Sequence, residues 1–234
     1  MYIKSFGAMF SAIRVLFKSP RVLLMLVLAW AGLLTAVYVF ASTREATIFQ
    51  LVLTLVAVIA APALFFVLQA VSVTYAGGAV SGSRLKKLSI DCLKLLVVSL
   101  PVLGLTLLAV YGLNKIQTHV TLITTLRYLL TFVAAPMLAI QLWISTINSD
   151  LRSLVRSLRS VVSKTFAPQS VFVYGCGFLI FAVVPFALLH IWPAIERPWL
   201  ELSVLVVRMT ASALLILLGW VTTVGAISIL SRSK

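Results

Sequence analysis

Long apolar runs separated by short polar segments are the dominant pattern of this chain. Six runs stand out, at about residues 22–41, 48–76, 93–113, 126–147, 171–192 and 203–230. A helix needs roughly 20 apolar residues to cross a hydrocarbon layer of about 30 Å. Each run reaches that length, so the pattern predicts an all-α bundle of six transmembrane helices, with residues 1–234 forming one integral membrane domain.

Three further segments place apolar residues on one helical face and cations on the other. In the first, Phe6, Met9, Phe10, Ile13, Leu16 and Phe17 oppose Arg14, Lys18 and Arg21. In the second, Leu85, Leu88, Cys92, Leu95 and Leu96 oppose Arg84, Lys87, Asp91 and Lys94. In the third, Leu151, Leu154, Val155, Leu158, Val161 and Val162 oppose Arg152, Arg156 and Arg159. Such one-sided helices lie in the membrane interface, with the apolar face among acyl chains and the cations among phosphates. Each segment precedes two apolar runs, so the chain reads as three tandem hairpins, each introduced by a basic amphipathic helix. The pentads Ala60-Ala61-Pro62-Ala63-Leu64 and Ala134-Ala135-Pro136-Met137-Leu138 agree with a repeat in the same direction.

Charge then sets the orientation. One side of the alternating topology carries Lys4, Arg14, Lys18, Arg21, Arg84, Lys86, Lys87, Lys94, Arg152, Arg156, Arg159, Lys164, Arg232 and Lys234, against only Asp91 and Asp150. The other side carries Arg44, Lys115, Arg127, Arg197 and Arg208, against Glu45, Glu196 and Glu201. Lys and Arg accumulate on the cytoplasmic side, which predicts cytoplasmic termini and suits a bacterial inner membrane. Tyr38, Tyr111, Tyr128, Trp192 and Trp199 fall near the outer interface and Tyr75 and Tyr174 near the inner one, as an aromatic belt does. The first run follows a basic flank but is longer than the apolar core of a secretion signal, about 7–15 residues, so it reads as an uncleaved span.

Composition agrees. The chain is 62% hydrophobic and 10% charged, with a mean hydropathy of +1.16. A soluble domain is about half apolar and about a quarter charged. The net charge of +14 is explained by cations beside membrane helices. It points to anionic lipid head groups rather than nucleic acid. Arg14, Lys18, Arg84, Lys87, Arg152, Arg156 and Arg159 are the expected head-group contacts. Two cysteines and two histidines, without ligand spacing, suggest no metal and no cofactor.

Candidate chemistry is sparse. Gln141, Ser145, Asn148 and Arg152 recur on one helical face and form a polar stripe inside the membrane, to which Gln69 is added from the second run. Polar residues in lipid must find partners in other helices or in water. Pro62, Pro101, Pro136 and Pro185 should kink their helices by removing backbone hydrogen bonds. Glu201 and Arg208, seven residues apart, share a face and form an expected outer charged pair. No nucleophile, acid–base pair or metal motif appears, so the protein is expected not to be an enzyme.

The segment Phe10-Ser-Ala-Ile-Arg-Val-Leu-Phe-Lys-Ser-Pro20-Arg21, followed by an apolar run, resembles two groups. One is the six-helix bacterial membrane proteins similar to the membrane domain that accompanies some glycerophosphodiester phosphodiesterases. The other is the permease subunits of ABC-2-type exporters. The first resemblance carries over no enzyme activity; the three basic interfacial segments, with no carboxylate placed to couple transport, point instead to a non-enzymatic protein that binds lipid or serves as an accessory or scaffold subunit among other membrane subunits. The second implies transport driven by a separate cytoplasmic ATPase. The chain departs from the exporter pattern in its long basic segment between the fourth and fifth runs.

Overall fold

The computed structural model describes residues 2–43, 47–76, 85–115, 120–148, 151–191 and 197–232, with the side chains of 85–87 and 151–157 left undescribed. Every regular element among these residues is helical. Six helical stretches among the described residues are long and apolar enough to cross a membrane: Pro20–Ser42, Ile48–Tyr75, Leu88–Asn114, Val120–Asn148, Pro168–His190 and Pro198–Arg232. The six-span all-α reading is therefore correct, with the fourth span starting several residues earlier than its hydropathy suggests.

The helices are α1 (Tyr2–Lys18), α2 (Pro20–Ser42), α3 (Ile48–Tyr75), α4 (Leu85–Asn114), α5 (Val120–Leu129), α6 (Ala135–Asn148), α7 (Leu151–Thr165), α8 (Pro168–Phe178), α9 (Val184–His190) and α10 (Pro198–Arg232). A π-turn at Leu130–Ala134 joins α5 to α6, and another at Leu179–Val183 joins α8 to α9. Pro20 opens α2 in the first turn, where its missing N–H has no intrahelical partner to lose. At the start of α3, the Thr47 side chain accepts from the Gln50 N–H while the Gln50 side chain accepts from the Thr47 N–H, at 3.3 and 3.0 Å. This capping box satisfies two donors that the helix itself cannot. Replacing Thr47 by Ala should cost about 1 kcal/mol, read as a lowered midpoint of unfolding in mixed micelles.

α10 is the hub. Its apolar stretch is 61% buried, against 17–39% for the other five spans. It packs on α1, α3, α8 and α9. Small residues permit the approach: a methyl on Gly225 would overlap the Tyr75 hydroxyl of α3, and one on Gly177 of α8 would overlap the Thr223 side chain of α10. Small residues at helix crossings let membrane helices gain dispersion contacts where lipid offers no hydrophobic drive. The Tyr75 hydroxyl donates to the Val221 carbonyl at 3.1 Å.

The amphipathic segments behave differently from one another. α1 has three faces, not two. Ser5, Ala8, Met9, Ala12 and Leu16 are buried, and the helix packs against α8 and α10. Phe6, Phe10 and Phe17 remain exposed, as do Arg14 and Lys18. An interfacial helix docked beside a bundle needs these three faces: protein, acyl chain and water. The second segment is continuous with the third span in the 30-residue α4. The third is the separate α7, whose Val161 packs with Val98 and Leu142. On one straight helix Val161 and Leu142 would stand about 28 Å apart at 1.5 Å per residue, so α7 folds back along α6.

The prolines are accommodated in two ways. Pro62 and Pro101 lie inside continuous α-helices. Pro136 and Pro185 each follow the last residue of a π-turn by two. Widening the turn relieves the clash between the proline ring and the carbonyl four residues earlier. Thus the matched pentads around Pro62 and Pro136 differ in backbone, and the shared backbone device pairs the fourth and fifth spans instead.

Candidate functional site

A cavity of about 670 Å³ lies inside the bundle, with side chains from all six spans in its wall. α2 gives Trp30. α3 gives Pro62, Phe65, Phe66 and Gln69. α4 gives Ser99, Leu100, Leu103 and Thr106. Thr131, Pro136, Ala139 and Trp143 come from the fourth span, Phe181 from the fifth and Trp220 from α10. Pro62, Leu100, Leu103 and Thr131 are exposed, so the cavity opens toward the lipid-facing surface.

Aromatic rings build its floor. Phe65 meets Trp143 edge-on at 6.1 Å, Trp143 meets Trp220 at 6.5 Å, and Trp220 meets Phe181 at 5.3 Å. These separations and tilts are those aromatic quadrupoles prefer. Two indoles are held by polar partners: Trp143 donates to Ser99 Oγ and Trp220 to Gln69 Oε1, each at 2.8 Å. Ser99 in turn donates to the Leu95 carbonyl at 2.7 Å.

Gln69 is the informative residue. It is fully buried. The Trp220 N–H can only donate, so the carboxamide atom it meets is the oxygen, and the NH₂ points the other way. That NH₂ has no acceptor among the described residues, nor has the buried indole N–H of Trp30. Both residues line the cavity. The surface of the cavity is therefore apolar and aromatic, with both unmatched nitrogens buried behind it rather than open to it, and none of the described lining residues carries a formal charge.

The other expected site residues lie elsewhere. Gln141 is buried, but in a narrow crevice with Lys164, Gln169 and Ser170, apart from Gln69. Ser145 is half-buried. Asn148 donates to the Ile144 carbonyl at 2.7 Å, and Arg232 reaches its Oδ1 at 3.5 Å. The expected continuation of this stripe through Arg152 and Arg156 to Arg159 is not straight, because α7 folds back. Arg84 lies outside the described residues, as do the side chains of Lys87, Arg152 and Arg156, while Arg159 is exposed. At the opposite end of the bundle, Arg208 donates through Nε to the Leu188 carbonyl at 2.6 Å and through Nη2 to the same oxygen. It closes the last turn of α9, whose carbonyls lack helical partners. Glu201 is half-buried on the same helix. Cys92 and Cys176 are free thiols.

Trp30, Ser99, Trp143 and Trp220 were not singled out by the sequence pattern. Trp30 and Trp220, each well inside an apolar run and away from the interfacial positions indoles favour, were the available signal. No protein-family model, curated protein or solved structure matches the chain.

Proposed function

We propose that this is a non-enzymatic integral membrane protein of a bacterial inner membrane that holds a lipid within its six-span bundle, as an accessory component of a membrane assembly. The observation that carries this reading is the cavity of about 670 Å³ with walls from every span. Its volume lies within the range of small-molecule sites, about 300–1,000 Å³. Its apolar lining suits an acyl chain, and its exposed rim gives lateral access from the surrounding hydrocarbon. Exposed Lys4, Arg14 and Lys18 on α1, with Arg159 on α7, would meet the anionic head groups of a cytoplasmic leaflet. In this reading both termini are cytoplasmic, and the three-faced α1 marks the plane of that interface.

The test is lipid retention after purification in mild detergent, read by native mass spectrometry. The wild-type protein should keep lipid through detergent exchange. Ala139→Trp, which puts an indole into the cavity, should abolish retention while circular dichroism and size-exclusion behaviour stay unchanged. Equal retention by this variant would remove the cavity as the lipid site.

A further inference from the structure

The basic end of the bundle holds unmatched polar groups that are open rather than sealed. Gln141 of α6 is 3% exposed, and its carboxamide has no hydrogen-bond partner among the described residues. It is not closed off: it borders the narrow crevice where α6, the end of α7, the start of α8 and the end of α10 meet. Ser170, 6% exposed, borders the same crevice, and its hydroxyl likewise has no partner among the described residues. The backbone adds two donors. Ala167 precedes α8 without a side-chain cap, and Pro168 opens the helix. The Val171 N–H reaches back to the Ala167 carbonyl at 3.0 Å. The N–H groups of Gln169 and Ser170 come before that first helical bond and are left over.

Cations flank this corner. Lys164, in the last turn of α7, lines the crevice. Lys4 of α1 lines a groove of about 400 Å³ that adjoins the crevice at Gln169 and Leu230. A methyl on Gly7 would meet nothing within 4 Å, so the groove reaches the α1 backbone. No acidic residue lines either space among the described residues. We propose that this corner binds a phosphate group at the start of α8, between Lys4 and Lys164. The two spaces divide such a ligand. The crevice, about 10 Å³, has room for one oxygen, against Gln141 and Ser170. The groove takes the remainder. A helix N-terminus presents N–H groups and the positive end of its dipole to an anion. Gln141 has no bond to break, so its NH₂ is free to turn toward an oxyanion. A carboxylate brings two oxygens and one charge. A phosphate monoester brings three free oxygens and about −1.5 to −2 charges at pH 7, which matches two lysines. The head group of a leaflet lipid and a soluble phosphate share this chemistry. The site shares no lining residue with the bundle cavity and does not rest on the cavity's reading.

The experiment titrates dihexanoyl phosphatidic acid, phosphatidylglycerol and phosphatidylcholine into the full chain in micelles of an uncharged detergent. Buffer is phosphate-free, ionic strength is fixed, and binding is read by thermophoresis. Phosphatidic acid should bind most tightly and phosphatidylcholine least, because its own cation offsets its phosphate. Gln141→Met keeps the volume and breaks no hydrogen bond. It should weaken phosphatidic acid about fivefold, the factor of one hydrogen bond of about 1 kcal/mol. Lys164→Gln, at an exposed position, should weaken it by a similar factor. Arg21→Gln removes the same charge from an exposed position on the same end of the bundle, outside both spaces. Equal weakening by Arg21→Gln and Lys164→Gln would overturn the proposal, because diffuse surface charge would then suffice. Wild-type affinity in Gln141→Met would overturn it as well. Inorganic phosphate that displaces the lipid at comparable concentration, less well in Gln141→Met, makes a soluble phosphate the source. Failure to displace it makes the lipid head group the source. Ala139→Trp should bind phosphatidic acid as the wild type does, so failure of the cavity reading and failure of this site are told apart.

Discussion

Gly225→Leu should unfold a large fraction of the bundle in conditions where the wild-type protein is fully folded. At Gly225 the backbone of α10 lies against the Tyr75 ring, and even a methyl would overlap that hydroxyl. Tyr75 cannot swing aside, because it is 2% exposed and its hydroxyl is held by the Val221 carbonyl. Overpacking a tight contact costs about 1–3 kcal/mol and occasionally more. A leucine at the hub helix belongs at the upper end, because α10 must back away from α3 and loses contacts along the whole crossing. The measurement is the midpoint of unfolding on titrating sodium dodecyl sulfate into mild-detergent micelles. Tyr75→Ala placed in the same chain opens the space, so the double variant should recover part of the loss. Non-additivity of about 0.5–3 kcal/mol is the signature of direct contact. If Gly225→Leu unfolds at the wild-type midpoint, α10 and α3 do not cross at this glycine.

The second large effect is expected at Tyr174, and it depends on a proline in another span. Pro136 has no N–H, so the Phe132 carbonyl four residues before it loses its usual α-helical donor. The Tyr174 hydroxyl of α8 donates to that carbonyl at 2.6 Å. In hydrocarbon no water can take over, so Tyr174→Phe should leave the carbonyl poorly satisfied. Interhelical hydrogen bonds in membranes average about 0.6 kcal/mol and reach about 1.7. A short bond to a carbonyl robbed of its own donor should lie near the top of that range. The discriminating variant is Pro136→Ala in the Tyr174→Phe background. It returns an N–H to the helix, so the π-turn can relax and the carbonyl regain a donor. The double variant should then unfold later than Tyr174→Phe alone. If Pro136→Ala gives no such recovery, Tyr174 stabilises the bundle through packing rather than by replacing the missing donor.

These two contacts also mark where sequence pattern stops being informative. The six spans were legible because length and hydropathy follow directly from the thickness of the hydrocarbon. The capped start of α3 and the proline start of α2 are local, and local chemistry sets them. What could not be read is which faces meet. Membrane helices are apolar all round, so periodicity does not distinguish the face toward Phe65 from the face toward lipid. α1 shows the problem on a small scale. Its apolar residues follow helical spacing, yet Met9 and Leu16 turn inward while Phe6, Phe10 and Phe17 stay exposed. The docked face was set by Ser5, Ala8 and Ala12, whose small size rather than hydropathy lets α10 come close. Gln69 was recognisable as unusual by its place in an apolar run. Its separation from Gln141 was not, because that depends on how α3 and α6 are rotated about their own axes. Arg208 illustrates the same limit: its partner Leu188 is a backbone carbonyl twenty residues away, and no side-chain pattern announces a backbone acceptor.

The central position of α10 bears on how the protein is made. Ribosomes deliver the chain from its N-terminus, so the first five spans enter the bilayer before their common support exists. Until Pro198–Arg232 arrives, Gly177 has no Thr223 to pack on, Tyr75 no Val221 carbonyl, and Gln69 no indole to hold its oxygen. The early spans can already pair among themselves, α2 with α3 and Trp143 with Ser99, but α1, α3, α8 and α9 lack the helix on which they all meet. Completion of the bundle is therefore a late event that awaits the last span, and a translation arrest before residue 198 should leave an inserted but incompletely assembled protein, open to intramembrane quality control.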